Sequence, residues 1–238
     1  MIASYLHKFI FIRTRKTAGT TIEMTLGPVA CGPDDIVTPL GMREERSRGN
    51  GVPLFRNFSK QPELEERLRQ TYLGKDRTLR QQVTAEIQFD FFHHMSAADA
   101  KQKLAPEFWE TACKITAERH PYERVVSLAY YQFSDRTSEM PFEQHLDELV
   151  WRGRYSTFQH YAIDDQVIVD EFIRHESLHD DLRRIGQKLH IPIPDELPQA
   201  KTKQRKDRRP AREILSEAQK QRIYEVCSRE FALHGYEP

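Results

Sequence analysis

The chain has 238 residues, and its 36 Lys and Arg are matched by 36 Asp and Glu, so the formal net charge is zero. That balance excludes a histone-like polycation that binds nucleic acid through bulk charge, and it excludes an acidic solvating tail. Apolar residues make up only 38%, yet 13 Phe, 9 Tyr and 2 Trp suffice for a core, and the length fits a single domain (1–238) with excursions.

In chain order, Lys8 to Ile12 reads as a short strand covered on both faces of a sheet. Its apolar part, Phe9 to Ile12, is flanked by Lys8 and Arg13, too short for a membrane span or a signal peptide. A polar, small-residue loop follows, then a helix over Ile22 to Leu26 that Gly27 and Pro28 should end. Residues 32–84 differ in texture. Gly41 to Gly51 is charged with little to bury, and Pro62 to Leu73 reads as an exposed helix with Leu64, Leu68 and Tyr72 on one face. This stretch is expected to be a variable excursion from a compact core.

Ile87 to Phe92 has the alternation and aromatics of a strand, with His93 and His94 at its end. Adjacent residues on a strand point to opposite sides, so only one of these histidines should face a given site. Ser96 has capping form for a helix to Leu104, and Pro106 opens another. Cys113 to Ala117 is a second strand leading into a helix from Pro121. Val167 to Ile173 carries a further strand or buried segment. Ser177 and Ser216 have capping-box form before helices to about Leu189 and Leu233. Strands alternating with helices predict an α/β fold, three-layer α/β/α with a mainly parallel central sheet. Cys31, Cys113 and Cys227 are sparse, odd in number and free of any Cys-x-x-Cys pair, which fits a reducing compartment and a cytoplasmic location.

Two segments carry chemistry. The first is the loop Arg15-Lys16-Thr17-Ala18-Gly19-Thr20-Thr21. A strand feeding a small-residue loop that opens a helix presents free N–H groups and a positive dipole end to an anion. Lys16 adds charge, Thr20 and Thr21 add hydroxyls, and Gly19 lets backbone approach the anion. It is not a Walker loop, because Lys16 precedes Gly19 and no Gly-Lys-Ser/Thr order exists to place a Mg²⁺ hydroxyl. The second is Arg119-His120-Pro121-Tyr122-Glu123-Arg124-Val125-Val126-Ser127, where Arg119 at a strand end and Ser127 on the next helix can share a phosphate.

Together these segments resemble the 5′-phosphosulfate loop and the Arg-x-Pro-x-x-Arg-x-x-Ser 3′-phosphate motif of the sulfotransferases that use 3′-phosphoadenylyl sulfate (PAPS). The similarity is to the carbohydrate (Golgi-type) branch and its soluble bacterial relatives. Arg15 stands where Pro is usual and Ala18 where Gly is usual; Ala18 should fit only with a negative φ. His94-Met95-Ser96-Ala97 resembles the family's His-x-x-Ala segment. Arg174-His175-Glu176-Ser177-Leu178 resembles its Arg-x-Glu-x-Leu element, and Phe231 to Tyr236 its usual ending.

The resemblance implies a P-loop NTPase-like sulfotransferase fold and sulfuryl transfer from PAPS to a hydroxyl, most plausibly of a glycan or glycolipid, releasing adenosine 3′,5′-bisphosphate (PAP) without a metal. Lys16 and His94 would be catalytic, with His94 a base near neutral pKa. Arg15, Lys16, Thr17, Ala18, Gly19, Thr20, Thr21, Arg119 and Ser127 would bind the donor. The basic run at 201–212 reads as a solvated loop, or as a loop over the 3′-phosphate led by Lys201 and Lys203. Two alternatives stay open: a nucleotide kinase or NTPase of related fold, and a non-enzymatic anion- or nucleic-acid-binding protein using that run. The run lacks an aromatic platform, so a nucleic-acid partner is not expected. The acceptor and the oligomeric state are not readable.

Overall fold

The structure is a computed structural model that describes residues 1–134, 140–200, 205 and 207–238. In order, the described elements are β1 (Ile2–Ser4), β2 (Phe9–Ile12), α1 (Gly19–Ala30), β3 (Ile36–Val37), α2 (Met42–Arg48), α3 (Pro62–Leu73) and α4 (Arg77–Glu86). Then come α5 (Ala97–Lys103), α6 (Pro106–Thr111), β4 (Cys113–Glu118), α7 (Pro121–Ser134), α8 (Phe142–Arg152), α9 (Phe158–Tyr161), β5 (Ala162–Ile163) and β6 (Gln166–Val167). The chain closes with β7 (Glu171–Arg174), a 3₁₀ turn (His175–Ser177), α10 (Leu178–Leu189), α11 (Ala211–Ile214), α12 (Glu217–Val226) and α13 (Ser228–His234).

The fold is mixed α/β, about 52% helical, around a mixed sheet. Strand order is β3-β1-β2-β4-β7. The β2–β4 and β4–β7 pairs are parallel, with Ile12 opposite Thr116 and Glu118 opposite Arg174. The β1–β2 and β1–β3 pairs are antiparallel. The sheet is therefore not mainly parallel. The short connection Tyr5–Lys8 between β1 and β2 can only make a hairpin, since a parallel pair needs a crossover of a dozen residues or more. The strand Ile2–Ser4 carries no alternation signal, which is why it escaped the sequence pattern.

β2 is covered on both faces, as its unbroken apolar run predicts. Ile10 and Ile12 join one core with Ala3, Phe55, Phe58, Leu68, Tyr72, Met95 and Trp109. Phe9 and Phe11 join the other with Ile22, Leu26, Ile115, Ile173 and Ile185. A third cluster holds Tyr122, Val125, Val126 and Ala129 of α7 against α8, α12 and α13.

The 32–84 stretch is not a loose excursion. It supplies β3 and the fully buried Phe55, Phe58 and Val83. A few of its charges turn inward: Glu45, fully buried, accepts from Leu40 N–H at 3.0 Å, Leu54 N–H at 2.6 Å and Arg48 Nη2. Glu65 likewise accepts from Asn57 N–H at 2.9 Å and Ser59 N–H at 2.6 Å. Buried carboxylates here satisfy loop N–H groups that would otherwise be stranded.

Other boundaries differ for physical reasons. α1 continues through Gly27 and Pro28 to Ala30. Gly27 is there because a Cβ would lie 2.9 Å from Arg48 Cδ of α2, a packing role rather than a stop. Ile87 to Phe92 is not a strand; Asp90 and Phe91 N–H both donate to Phe58 O, and Phe89 stacks on Phe58 at 5.2 Å. Ser96 and Ser216 cap their helices, accepting from Asp99 and Gln219 N–H. Ser177 does not cap; its hydroxyl donates to Asp181 Oδ2 at 2.9 Å, because the 3₁₀ turn runs straight into α10. The C-terminal helix breaks at Cys227, which is buried against Arg124. No helix among the described residues is long and apolar enough to cross a membrane.

Candidate active site

Three parallel strands end side by side, and each delivers polar groups to one cavity of about 1120 Å³. After β2 comes the loop 13–18, after β4 comes Arg119, and after β7 comes His175. The crevice beyond the carboxyl ends of such strands is where α/β sheets bind ligands. The lining includes Arg13, Thr14, Arg15, Lys16, Ala18, Gly19, Thr20, Thr21, His93, His94, Arg119 and Ser127. Arg205 and Arg208 line it too, and none of the described lining residues is Asp or Glu.

The loop is pinned by its neighbours. Thr14 Oγ1 donates to Ala117 O of β4, and Thr116 Oγ1 donates to Ile12 O at 2.7 Å. Within it φ changes sign from residue to residue. Lys16 is left-handed at +63° and Ala18 at +66°, while Thr17 between them is not. Alternation of this kind turns successive N–H groups to one side, an anion-binding concavity. The negative φ expected of Ala18 is overturned: it adopts the left-handed geometry of the Gly usual there, at a cost of about 1–2 kcal/mol. α1 then begins with no side-chain cap and no acidic residue in its first turn. Its first N–H groups therefore stand at the cavity with the positive end of the helix dipole.

Gly19 lines the cavity and also makes room for Arg13: a Cβ there would lie 2.7 Å from Arg13 Cγ. Arg13 crosses over it, donating to Glu23 at 2.6 Å and Thr20 Oγ1 at 2.7 Å. Thr17 also departs from expectation. Its side chain is buried away from the cavity, within 2.8 Å of Thr14 Oγ1, so only its main chain belongs to the loop. Lys16 Nζ lies 4.4 Å from the centre of the Tyr131 ring.

His94 Nδ1 is 3.1 Å from Arg13 O. A carbonyl only accepts, so Nδ1 carries the proton and Nε2 keeps its lone pair. Burial first, then Arg13, pulls the His94 pKa down to about 3, so the near-neutral pKa expected of it is not found. His93 lines the cavity as well, 6.0 Å away ring to ring; with no strand there, the rule that neighbours face opposite ways does not apply.

The 119–127 segment divides its residues by face. Arg119 and Ser127 line the cavity. Arg124 is buried, binding Glu118 at 2.6 Å and Glu230 at 3.1 Å, and it anchors the motif to α13. Arg119 donates to Glu123 at 3.2 Å, and Glu123 also accepts from Arg205 at 2.5 Å. Burial lowers the Arg119 pKa, opposed by Glu123. Glu176 of the Arg-x-Glu-x-Leu element accepts from His120 N–H at 2.9 Å and Tyr236 OH at 3.3 Å, tying the chain's end to this motif.

Lys201 and Lys203 lie outside the described residues. Of the same run, Arg205 and Arg208 line the cavity. Arg209 pairs with Asp207 at 2.6 Å, and Arg212 donates to Glu237 O at 2.6 Å, 25 residues along the chain. Sequence reasoning passed over His175. It faces the cavity, and burial together with Arg119 lowers its pKa to about 4. Among the described residues, no group of three or more His, Cys, Asp or Glu is placed to hold a metal ion.

Comparison with protein-family models, with curated proteins and with solved structures finds no match.

Proposed function

We propose that the chain is a sulfotransferase that moves a sulfuryl group from PAPS to a hydroxyl of an acceptor, a carbohydrate by the resemblance of its motifs. The observation that carries this reading is the meeting of both motifs in one cavity. The Lys16 loop, His94, Arg119 and Ser127 share a lining that has no carboxylate among its described residues, which suits a donor with three anionic groups. The volume exceeds the roughly 300–1,000 Å³ usual for one small ligand, leaving room for donor and acceptor together. Leu40 and Gly41 bring the 32–84 stretch to the cavity wall, consistent with a part in acceptor binding.

In this mechanism the acceptor oxygen attacks sulfur in line, and the bond from sulfur to the 5′-phosphate oxygen breaks. PAP leaves with that oxygen. The loop N–H groups and Lys16 stabilise the charge that develops on it. Nε2 of His94 takes the acceptor proton, since Nδ1–H is committed to Arg13 O. The depressed pKa keeps His94 unprotonated at working pH, and the negative charge of bound donor raises its basicity. The test is transfer of labelled sulfate from PAPS to a panel of glycan, glycolipid and small hydroxyl acceptors. Transfer is expected for the wild type and lost in His94→Ala, which still binds PAP. Absence of transfer to every acceptor together with absence of PAP binding contradicts the reading.

A further inference from the structure

We propose that Glu123 is a positioning residue that makes Arg119 and Arg205 into a two-guanidinium clamp selective for a phosphate monoester. The proposal rests on the donor reading above and extends it to a residue that does not itself line the cavity.

Glu123 lies in the first turn of α7, between Arg119 and Ser127. Its Oε2 accepts from Arg119 Nη2 at 3.2 Å and from Arg205 Nη1 at 2.5 Å. Its Oε1 accepts from Ala211 N–H at 2.7 Å. One carboxylate thus joins the end of β4 to a segment 82 residues further along the chain. Arg205 is fixed from its other side as well: Nε donates to Asp207 O at 2.8 Å, and Nη2 donates to Arg209 O.

Both guanidiniums line the cavity and the carboxylate does not. Two half-buried cations that share one carboxylate oxygen repel, and Glu123 behind them offsets that repulsion. Burial opposes ionisation of Glu123, but the Ala211 N–H and Arg205 outweigh it and hold the carboxyl below its ordinary pKa. The terminal nitrogens of Arg119, 15% exposed, and Arg205, 18% exposed, carry more N–H groups than Glu123 and Arg209 O take. Donors left over on a rigid, paired fork suit the oxygens of a terminal phosphate, which carries close to two charges and can accept from both forks. A sugar hydroxyl in the same place accepts weakly and carries no charge.

Charge arithmetic alone says that removing an acid beside an anion site tightens anion binding. The clamp makes the opposite prediction. In calorimetric titrations, Glu123→Gln is expected to weaken PAP roughly tenfold, while adenosine 5′-monophosphate, which lacks the 3′-phosphate, changes by less than about twofold. Arg205→Ala is expected to show the same selective loss and serves if Glu123→Gln does not fold. Unchanged or tighter PAP binding in the variants overturns the proposal, and so does an equal loss for both nucleotides. A wild type with no preference for PAP over adenosine 5′-monophosphate overturns the donor reading itself, so the two failures are distinguishable.

Discussion

At the β2–β4–β7 side of the sheet, the strands end in groups that face a cavity; at the β1–β3 side, a few charged groups of the connecting segments turn inward. Both regions are rich in charge. Around β3, Glu45, Glu65 and Arg69 hold main-chain groups of their own loops, with Arg69 donating to Pro53 O at 2.5 Å and Phe55 O at 2.6 Å. At the other side, Arg15, Lys16, Arg119 and Arg205 face the cavity, and Glu123, which pairs with Arg119 and Arg205, stays out of its lining. The same residue types hold main-chain groups inside one region and line a cavity in the other.

Substitutions can break that comparison. The largest effect is expected for Phe58→Ala, which empties a fully buried position between Phe55 and Phe89. It should lower stability by about 3–5 kcal/mol in chemical denaturation, while the remaining folded protein binds PAP within about twofold of wild type. A parallel collapse of affinity would show that the two regions are not separable. Lys16→Ala should do the reverse, lowering turnover by about 10²–10³-fold at unchanged melting temperature, as removal of an oxyanion donor does. Turnover near the wild-type rate removes Lys16 from the mechanism.

Gly19→Ala couples the regions, because its Cβ would meet Arg13 at 2.7 Å. It should cost about 1–3 kcal/mol through displacement of the Arg13–Glu23 pair; a neutral outcome argues against that contact. Ala18→Gly is the smallest change in structure. Relief of the left-handed strain at +66°, less the added freedom of the unfolded chain, should raise stability by up to about 1 kcal/mol. A loss means that the loop is not left-handed there.

His94 gives a pH signature. Its folded pKa, about 3, lies below the ordinary 6.5, so on acidification the unfolded state takes up its proton first. The contribution of neutral His94 to stability is full above pH 6.5 and is lost as pH falls from there toward about 3. By NMR its ring should not titrate between about pH 8 and pH 5, where an unperturbed His does. A midpoint near the ordinary value contradicts the buried, Arg13-bonded geometry.

How much was legible in the sequence follows the same divide. The site-bearing side was readable because its strand–loop–helix order and motif spacing are local: β2, β4, the α7 start and the Ser216 cap came out close to their positions. What packing decides was not. Thr17 looks like Thr20 in a string of letters, yet only tertiary contacts turn its hydroxyl away from the cavity. Gly19 serves Arg13, and Gly27 serves Arg48, for reasons that no spacing encodes. Arg205 and Arg208 were indistinguishable from the other cations of their run. Around β3 the acids at Glu45 and Glu65 read as solvated surface, because burial of a carboxylate by main-chain N–H groups leaves no periodic trace. The alternation at 87–92 was real, but its aromatics pack on Phe58 rather than pair in a sheet.

Assembly of one site for a 3′-phosphorylated nucleotide, as proposed, is tested by calorimetric titration of the protein with PAP in the presence of EDTA, beside Arg119→Ala and Ser127→Ala, and with Mg·ATP as the competing ligand. PAP is expected to bind the wild type without divalent metal, more tightly than Mg·ATP, and both variants are expected to lose affinity. Wild-type affinity in both variants, or binding of Mg·ATP with none of PAP, would contradict it.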